Sequence, residues 1–209
     1  MDAAMVLWMC GMAMASRPPP DYRQELHQTA AAQVEHLANR GDVDGAFAFG
    51  ERFVRRVEQA PAVLYEMALL HNRMGQYDQA LPLYDMVLSI DADHAAARYD
   101  RGELLLARGD ISRAQRDLEA AARLAPNHWV VHFRLAELAA EQQNPTATEM
   151  HLLNAVRHGF ALETLEQSPS WMRWLHDPEL GPVITRIVLM YGEPSLLDRL
   201  LNTSPVAPR

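Results

Sequence analysis

The sequence predicts an all-α fold built from repeated pairs of helices. Three observations lead to this prediction: a 34-residue period, a small residue at a fixed place after each periodic turn, and apolar residues at helical spacing. The chain has 209 residues, of which 49% are hydrophobic. That length and composition are sufficient to bury a continuous core.

The period is set by turn positions that lie 34 residues apart: Gly41, Gly75, Gly109 and Gln143. Five residues after each turn position comes a small residue: Ala46, Ala80, Ala114 and Thr148. A small side chain at that place allows two helices to cross closely, which a larger one would prevent. We therefore predict a tight turn followed by a closely packed second helix in each repeat.

With these markers the chain resembles the tetratricopeptide repeat family over residues 21–159, with repeats near residues 27–60, 61–94, 95–128 and 129–159. The family's small residue in the first helix is matched at Ala68, Gly102 and Ala136. The resemblance implies a right-handed α-solenoid of about four helix-turn-helix repeats. It also implies that the first helices line a concave groove that binds a peptide or helix of another protein.

Carried over from the family, the groove positions are Glu35, Tyr65, Leu69, Asn72, Arg73, Tyr99, Glu103, Leu106, Phe133 and Glu137. They include an aromatic ladder, Tyr65, Tyr99 and Phe133, and an acidic row, Glu35, Glu103 and Glu137. If both sets contact the ligand, the partner is an apolar segment that carries basic residues. Two alternatives stay open: the aromatic residues pack against the next repeat, and the glutamates are ordinary solvated residues.

Residues 160–202 break the period and are predicted to form a helical cap that covers the end of the last repeat. This segment resembles the end-of-group cap of bacterial tetratricopeptide arrays through Gly159, Phe160, Trp171, Leu175, Asp177, Pro178 and Ile184. Within it, an apolar stripe is predicted at Val183, Ile184, Ile187, Val188 and Tyr191. Residues 203–209 are predicted to be a disordered tail.

Residues 1–20 combine an apolar segment, Ala3 to Ala15, with a proline-rich linker. Thirteen residues are too few for a stable membrane span. Ala13-Met14-Ala15 has the small-x-small form of a signal-peptidase site, although no arginine precedes the apolar run. An exported or periplasmic protein is favoured over a cytoplasmic one, and the alternative is an apolar N-terminal helix packed on the repeats.

The amino-acid composition argues against several kinds of catalytic and binding chemistry. All 19 basic residues are arginine, so neither a Schiff-base lysine nor a phosphate-loop lysine is available. The net charge of -8 argues against nucleic-acid binding, and the single cysteine, Cys10, cannot form a metal cluster. His128 and His132 are one helical turn apart but have no third ligand nearby in sequence, so no metal or cofactor is predicted.

These observations together predict a bacterial adaptor or assembly factor that binds another protein and is not an enzyme. A second hypothesis is a structural subunit of an envelope-associated complex that uses the convex face of the repeats or the N-terminal segment. A third is a hydrolase or metal enzyme without a known motif.

Overall fold

A computed structural model describes residues 20–57 and 60–202, and every regular element in this part of the chain is helical. The predictions for the apolar N-terminal segment, most of the proline-rich linker and the tail at residues 203–209 lie outside the described residues. The all-α fold class of helix-turn-helix repeats, as found in α-solenoids, is confirmed.

Four helix pairs come first: α1 (Pro20–Asn39) with α2 (Val43–Arg56), α3 (Pro61–Arg73) with α4 (Tyr77–Ile90), α5 (Ala95–Ala107) with α6 (Ile111–Leu124), and α7 (Trp129–Glu141) with α8 (Pro145–Arg157). A 3-10 helix (Leu162–Gln167) and three short helices follow, α9 (Pro169–Leu175), α10 (Gly181–Tyr191) and α11 (Leu196–Asn202). Helix α1 begins at Pro20, seven residues before the predicted start of the first repeat near residue 27.

The turn positions explain why the period is visible in the sequence. Gly41, Gly75 and Gly109 have φ angles of 82°, 70° and 78°, in the left-handed region that glycine adopts without steric cost. Gln143, at the fourth turn, has a φ of 53°, although a side chain makes this conformation unfavourable. The same backbone turn therefore recurs even where glycine does not.

The residue after the turn caps the second helix of three repeats. Asp42, Asp110 and Asn144 accept hydrogen bonds from backbone N–H groups three residues further on, at 3.0, 3.2 and 3.1 Å. The small residues that follow are all fully buried: Ala46, Ala80, Ala114 and Thr148. Capping thus fixes the start of three of the second helices, and close packing of a small residue fixes the inner face of all four.

By its contacts the chain divides into an N-terminal unit, residues 1–90, and a C-terminal unit, residues 91–209. In the N-terminal unit α1 to α4 share a core whose buried members are Ala30, Ala31, Val34, Ala46, Ala60, Val63, Met67 and Leu70. Partly buried aromatic residues from α2, including Phe47 and Phe53, pack against this core.

The C-terminal unit contains two apolar clusters. One joins α6 and α7 through Leu118, Ala121, Val131, Leu135 and Leu138. The other packs the segment from Phe160 to Leu200 against Ala136, Ala140, Leu152 and Ala155 of α7 and α8. In the predicted stripe of α10, Val183, Ile184, Ile187 and Val188 are buried. Tyr191, the last residue of that helix, is 45% exposed, so it is not part of the buried stripe as predicted.

Candidate functional site

Half of the predicted site residues lie in the N-terminal unit: Glu35, Tyr65, Leu69, Asn72 and Arg73. Glu35 is exposed on α1, and the other four are on α3. The ring of Tyr65 lies 6.2 Å from the ring of Tyr84, and Arg73 Nη1 donates to Asn39 Oδ1 at 3.4 Å. The three-residue and four-residue spacing on α3 places these side chains along one helix face.

The other half lie in the C-terminal unit: Tyr99, Glu103 and Leu106 on α5, and Phe133 and Glu137 on α7. All five are half-buried. Tyr99 and Leu106 pack at the edge of the cluster that contains Leu118 and Leu135. Burial, followed by the negative charge of Glu103, raises the pKa of Tyr99 to about 12, so this hydroxyl remains protonated at neutral pH.

Arg134 connects the two predicted glutamates of this unit. Its Nε donates to Glu103 Oε1 at 2.6 Å, its Nη2 donates to Glu103 Oε2, and its Nη1 donates to Glu137 Oε2 at 2.9 Å. The hydrogen bonds with Glu103 raise the pKa of Arg134, which keeps the guanidinium charged. Sequence reasoning missed Arg134. Its spacing three residues before Glu137 on a predicted helix was the available signal.

The C-terminal segment contacts the same site. Phe133 stacks against Phe160 and Trp171, with ring centroids 4.1 and 5.6 Å apart, so this aromatic residue is already packed within the unit. The indole Nε1 of Trp171 donates to Glu137 Oε1 at 3.3 Å. Burial raises the pKa of Glu137, while Arg134 and Trp171 oppose that shift.

A small hollow of about 160 Å³ lies beside these groups. Its lining comes from α5, α7 and α9: Leu106, Arg134, Glu137, Leu138, Glu141, Ser170 and Trp174. Two glutamates, Glu137 and Glu141, and one arginine, Arg134, line the hollow, and the guanidinium of Arg134 is paired with Glu137 and with Glu103. The hollow therefore carries excess negative charge, and its chemistry suits a cation with an apolar stem.

His128 and His132, the two histidines one helical turn apart, differ in exposure. His132 is buried in α7, where its Nε2 lies 2.9 Å from the carbonyl oxygen of Pro126, and its ring lies 5.9 Å from that of His151. His128 is exposed at the N-cap of the same helix. Among the described residues, no three or more histidine, cysteine, aspartate or glutamate side chains are arranged to hold a metal ion.

Membrane-spanning capacity depends on helix length and apolar composition together. Within residues 20–57 and 60–202, none of the helices combines the two to the extent needed to cross a bilayer.

Helix pairs that repeat every 34 residues, with a left-handed turn residue and a small buried residue in each, define a class of helical-repeat proteins. Two models of one family match the chain, both described as tetratricopeptide repeat, at residues 71–116 and 99–155. Residues 71–155 of the chain therefore match the tetratricopeptide repeat family. Repeats of this family generally mediate interactions between proteins.

Curated relatives are similar in sequence to parts of this chain. The probable biofilm formation methyltransferase WspC of Pseudomonas putida is 31% identical over 115 residues, which are 54% of this chain and 27% of that protein. The chain thus spans about a quarter of the length of this curated relative.

Solved structures share the fold. The protein MamA of Desulfovibrio magneticus RS-1 has a TM-score of 0.58 at 18% identity, covering 90% of this chain and 94% of that chain. The protein YrrB, described as having an unusual peptide-binding site, has a TM-score of 0.63 at 11% identity, covering 83% and 91%.

Proposed function

We propose that the chain is an adaptor or assembly factor, without catalytic activity, that captures a peptide or helix of another protein on the first helices of its repeats. The observation that carries the proposal is the hollow between α5, α7 and α9, where Glu137 and Glu141 line the wall together with Arg134. We assign the partner the chemistry predicted from the sequence, an apolar segment with arginine or lysine.

The electrostatics of Glu137 support this assignment. Burial raises its pKa even though Arg134 and the indole of Trp171 both favour the charged form. A carboxylate in that condition gains from a further positive charge nearby, since a cation offsets the cost of its desolvation. Leu106 and Leu138 line the same hollow and provide contacts for the aliphatic part of a bound basic side chain.

The aromatic residues take different roles in this proposal. Tyr99 is half-buried at the edge of the α6–α7 cluster and keeps part of its ring at the surface, so we assign it a partner contact. Tyr65 is half-buried on α3 and receives the same role in the N-terminal unit. Phe133 is stacked between side chains of the C-terminal segment, so we assign it to the support beneath the site.

The fold comparisons support a general capacity to bind peptides, because YrrB shares the fold and is described as having a peptide-binding site. At 11% identity, the similarity to YrrB shows the fold alone. The chemistry of the partner therefore rests on the residues of this chain. In the N-terminal unit, Glu35, Leu69, Asn72 and Arg73 stay proposed partner contacts of that unit.

The experiment is selection of binders from a random peptide library on the immobilised chain, followed by affinity measurements on the selected peptides. We expect enrichment of arginine or lysine beside apolar residues. Glu141→Gln should weaken binding about tenfold by removing one carboxylate of the hollow. Glu179→Gln is the matched control, because Glu179 is exposed in the same unit and outside the hollow.

Two results would contradict the proposal. One is selection of peptides with no preference for basic residues. The other is an equal loss of affinity in the Glu141 and Glu179 variants, which would mean that net charge alone attracts the peptides. Titrations at several salt concentrations distinguish these cases, since a specific contact in the hollow is screened less than long-range attraction.

A further inference from the structure

The hollow of the C-terminal unit is lined by oxygen-bearing side chains from two helices. Glu137 and Glu141 are one helical turn apart on α7, so their carboxylates lie on one helix face. Ser170, the second residue of α9, adds a hydroxyl to the lining. The hydrogen bond from Trp171 to Glu137, at 3.3 Å, holds the start of α9 against this turn of α7. The hollow therefore offers hydrogen-bond acceptors from three separate side chains to one bound cation.

The carboxylate of Glu137 already accepts one hydrogen bond on each oxygen. Its Oε1 accepts from Trp171 Nε1 at 3.3 Å, and its Oε2 accepts from Arg134 Nη1 at 2.9 Å. A guanidinium binds a carboxylate best through two parallel N–H bonds, one to each oxygen. At Glu137 such a pair would have to share both oxygens with existing donors, whereas an ammonium group needs only one of them.

Arg134 itself shows the geometry that a guanidinium prefers in this unit. Its Nε and Nη2 donate to the two oxygens of Glu103, so that carboxylate is taken up by a bidentate pair. An arginine of a partner could still pair with Glu141, but Glu141 is exposed. Exposed ion pairs contribute little to affinity, because water screens them. The hollow thus lacks a buried carboxylate edge for a second guanidinium.

A primary ammonium group has the opposite requirements. It is a compact charge with three donors directed to different sides, which suits three acceptors on separate side chains. Both a lysine side chain and the amino terminus of a polypeptide carry this group. Leu106, Leu138 and Trp174 complete the lining and provide an apolar wall for a four-carbon stem. Only lysine has that stem, so the wall favours lysine over a chain terminus.

On the basis of the proposed function, we propose that the hollow selects lysine over arginine. The ammonium group is held by Glu137, Glu141 and Ser170, and the aliphatic stem lies against Leu106 and Leu138. All 19 basic residues of this chain are arginine, so the side chains of a second copy cannot supply the ammonium. The occupant that we assign is therefore a lysine side chain of a different protein, within an apolar segment.

Matched peptides test this selectivity on the full chain. Pools of N-acetylated apolar peptides are made identical except at one position, which is lysine, arginine or the uncharged norleucine. A fourth pool carries norleucine and a free amino terminus. The pools compete for the immobilised chain, and mass spectrometry measures the bound fraction of each. We expect the lysine pool to bind at least about tenfold more tightly than the arginine pool, since a guanidinium leaves acceptors of the hollow unpaired.

A serine variant tests the geometry of the hollow. Ser170→Ala should reduce the preference for lysine over arginine by at least about threefold, because it removes one acceptor of the ammonium and leaves the charge unchanged. Ser112→Ala is the matched control, since Ser112 is exposed on α6 of the same unit and outside the hollow. Circular dichroism and the affinity for the arginine pool should be the same in both variants.

The failure of this inference can be distinguished from the failure of the proposed function. If arginine binds as tightly as lysine and norleucine binds weakly, lysine selectivity is overturned while capture of a basic segment stands. Equal binding of all three acetylated pools overturns both. Tight binding of the norleucine pool with a free amino terminus would assign the hollow to a chain terminus and overturn the choice of lysine. An unchanged preference in Ser170→Ala would overturn the proposed set of acceptors.

Discussion

The indole N–H of Trp171 donates a hydrogen bond to Oε1 of Glu137 at 3.3 Å, and the same ring stacks 5.6 Å from Phe133. Two predicted site residues on α7 are therefore held by a side chain from the segment that follows the repeats. Because Trp171 is 1% exposed, this arrangement is part of the core of the C-terminal unit. Any ligand that binds at Glu137 does so against a carboxylate whose orientation is already fixed.

Trp171→Ala should lower the free energy of unfolding by about 3–5 kcal/mol, because it leaves a large cavity between α7 and α9 and removes the indole hydrogen bond to Glu137. Urea denaturation followed by circular dichroism measures this loss. Trp129→Ala is the control, since Trp129 is 37% exposed and should cost about 1 kcal/mol. Equal losses for the two variants would show that Trp171 does not anchor the segment.

Asp117→Ala should lower the free energy of unfolding by about 3 kcal/mol. Asp117 is 4% exposed on α6 and accepts hydrogen bonds from Arg101 at 2.7 and 2.8 Å and from Arg98 at 3.2 Å. Its removal leaves two arginines on α5 without their shared carboxylate. Arg113→Ala removes an exposed pair with Asp110 and should change stability by less than about 0.5 kcal/mol, so similar effects would contradict the prediction.

Gln143→Gly should raise the free energy of unfolding by about 0.5–1 kcal/mol. Gln143 has a φ of 53°, and relief of this left-handed strain exceeds the entropy that glycine adds to the unfolded chain. The reciprocal change, Gly109→Ala at a φ of 78°, should lower stability by about 1 kcal/mol. Thermal unfolding of both variants checks the prediction, and a lower midpoint for Gln143→Gly would refute it.

Stability should fall as the solution is acidified, partly through His151. Burial, and then the neighbouring His132, lowers the pKa of His151 below its usual 6.5, while Glu119 opposes the shift. The folded state thus favours the neutral ring. The contribution of His151 is complete above the unfolded pKa of 6.5 and is lost as pH falls through the lower folded pKa.

The measurement is urea unfolding at about pH 7.5 and at about pH 5, for the native chain and for His151→Gln. The native chain should lose more stability between these conditions than the variant does. His158, whose ring is 6.3 Å from that of His132, remains in both proteins, as does His27, whose pKa burial also lowers. An identical pH dependence would exclude His151 as a contributor.

The repeated turns and packing positions could be predicted from the sequence because they depend on local requirements. A left-handed backbone at Gly41, Gly75 and Gly109 favours glycine wherever it occurs, and a close helix crossing favours a small residue. These constraints act within a few residues, so they recur at the repeat period and are visible without coordinates.

The electrostatics of the candidate site could not be predicted in the same way. Arg134 and Glu103 are 31 residues apart, and Trp171 and Glu137 are 34 apart, so their pairing depends on how helices pack. The burial of Asp117 has the same origin, because Arg98 and Arg101 reach it from the preceding helix. An isolated sequence identifies such side chains as charged or aromatic, and only tertiary structure shows which of them meet.

The contact between Trp171 and Glu137 also provides an intrinsic optical reporter. A positively charged side chain that approaches this carboxylate changes the electric field across the adjacent indole, which shifts the wavelength and intensity of its fluorescence emission. Ligand screening could therefore be performed on the native polypeptide without attaching a dye, with Trp129→Phe reducing the background from a more exposed fluorophore.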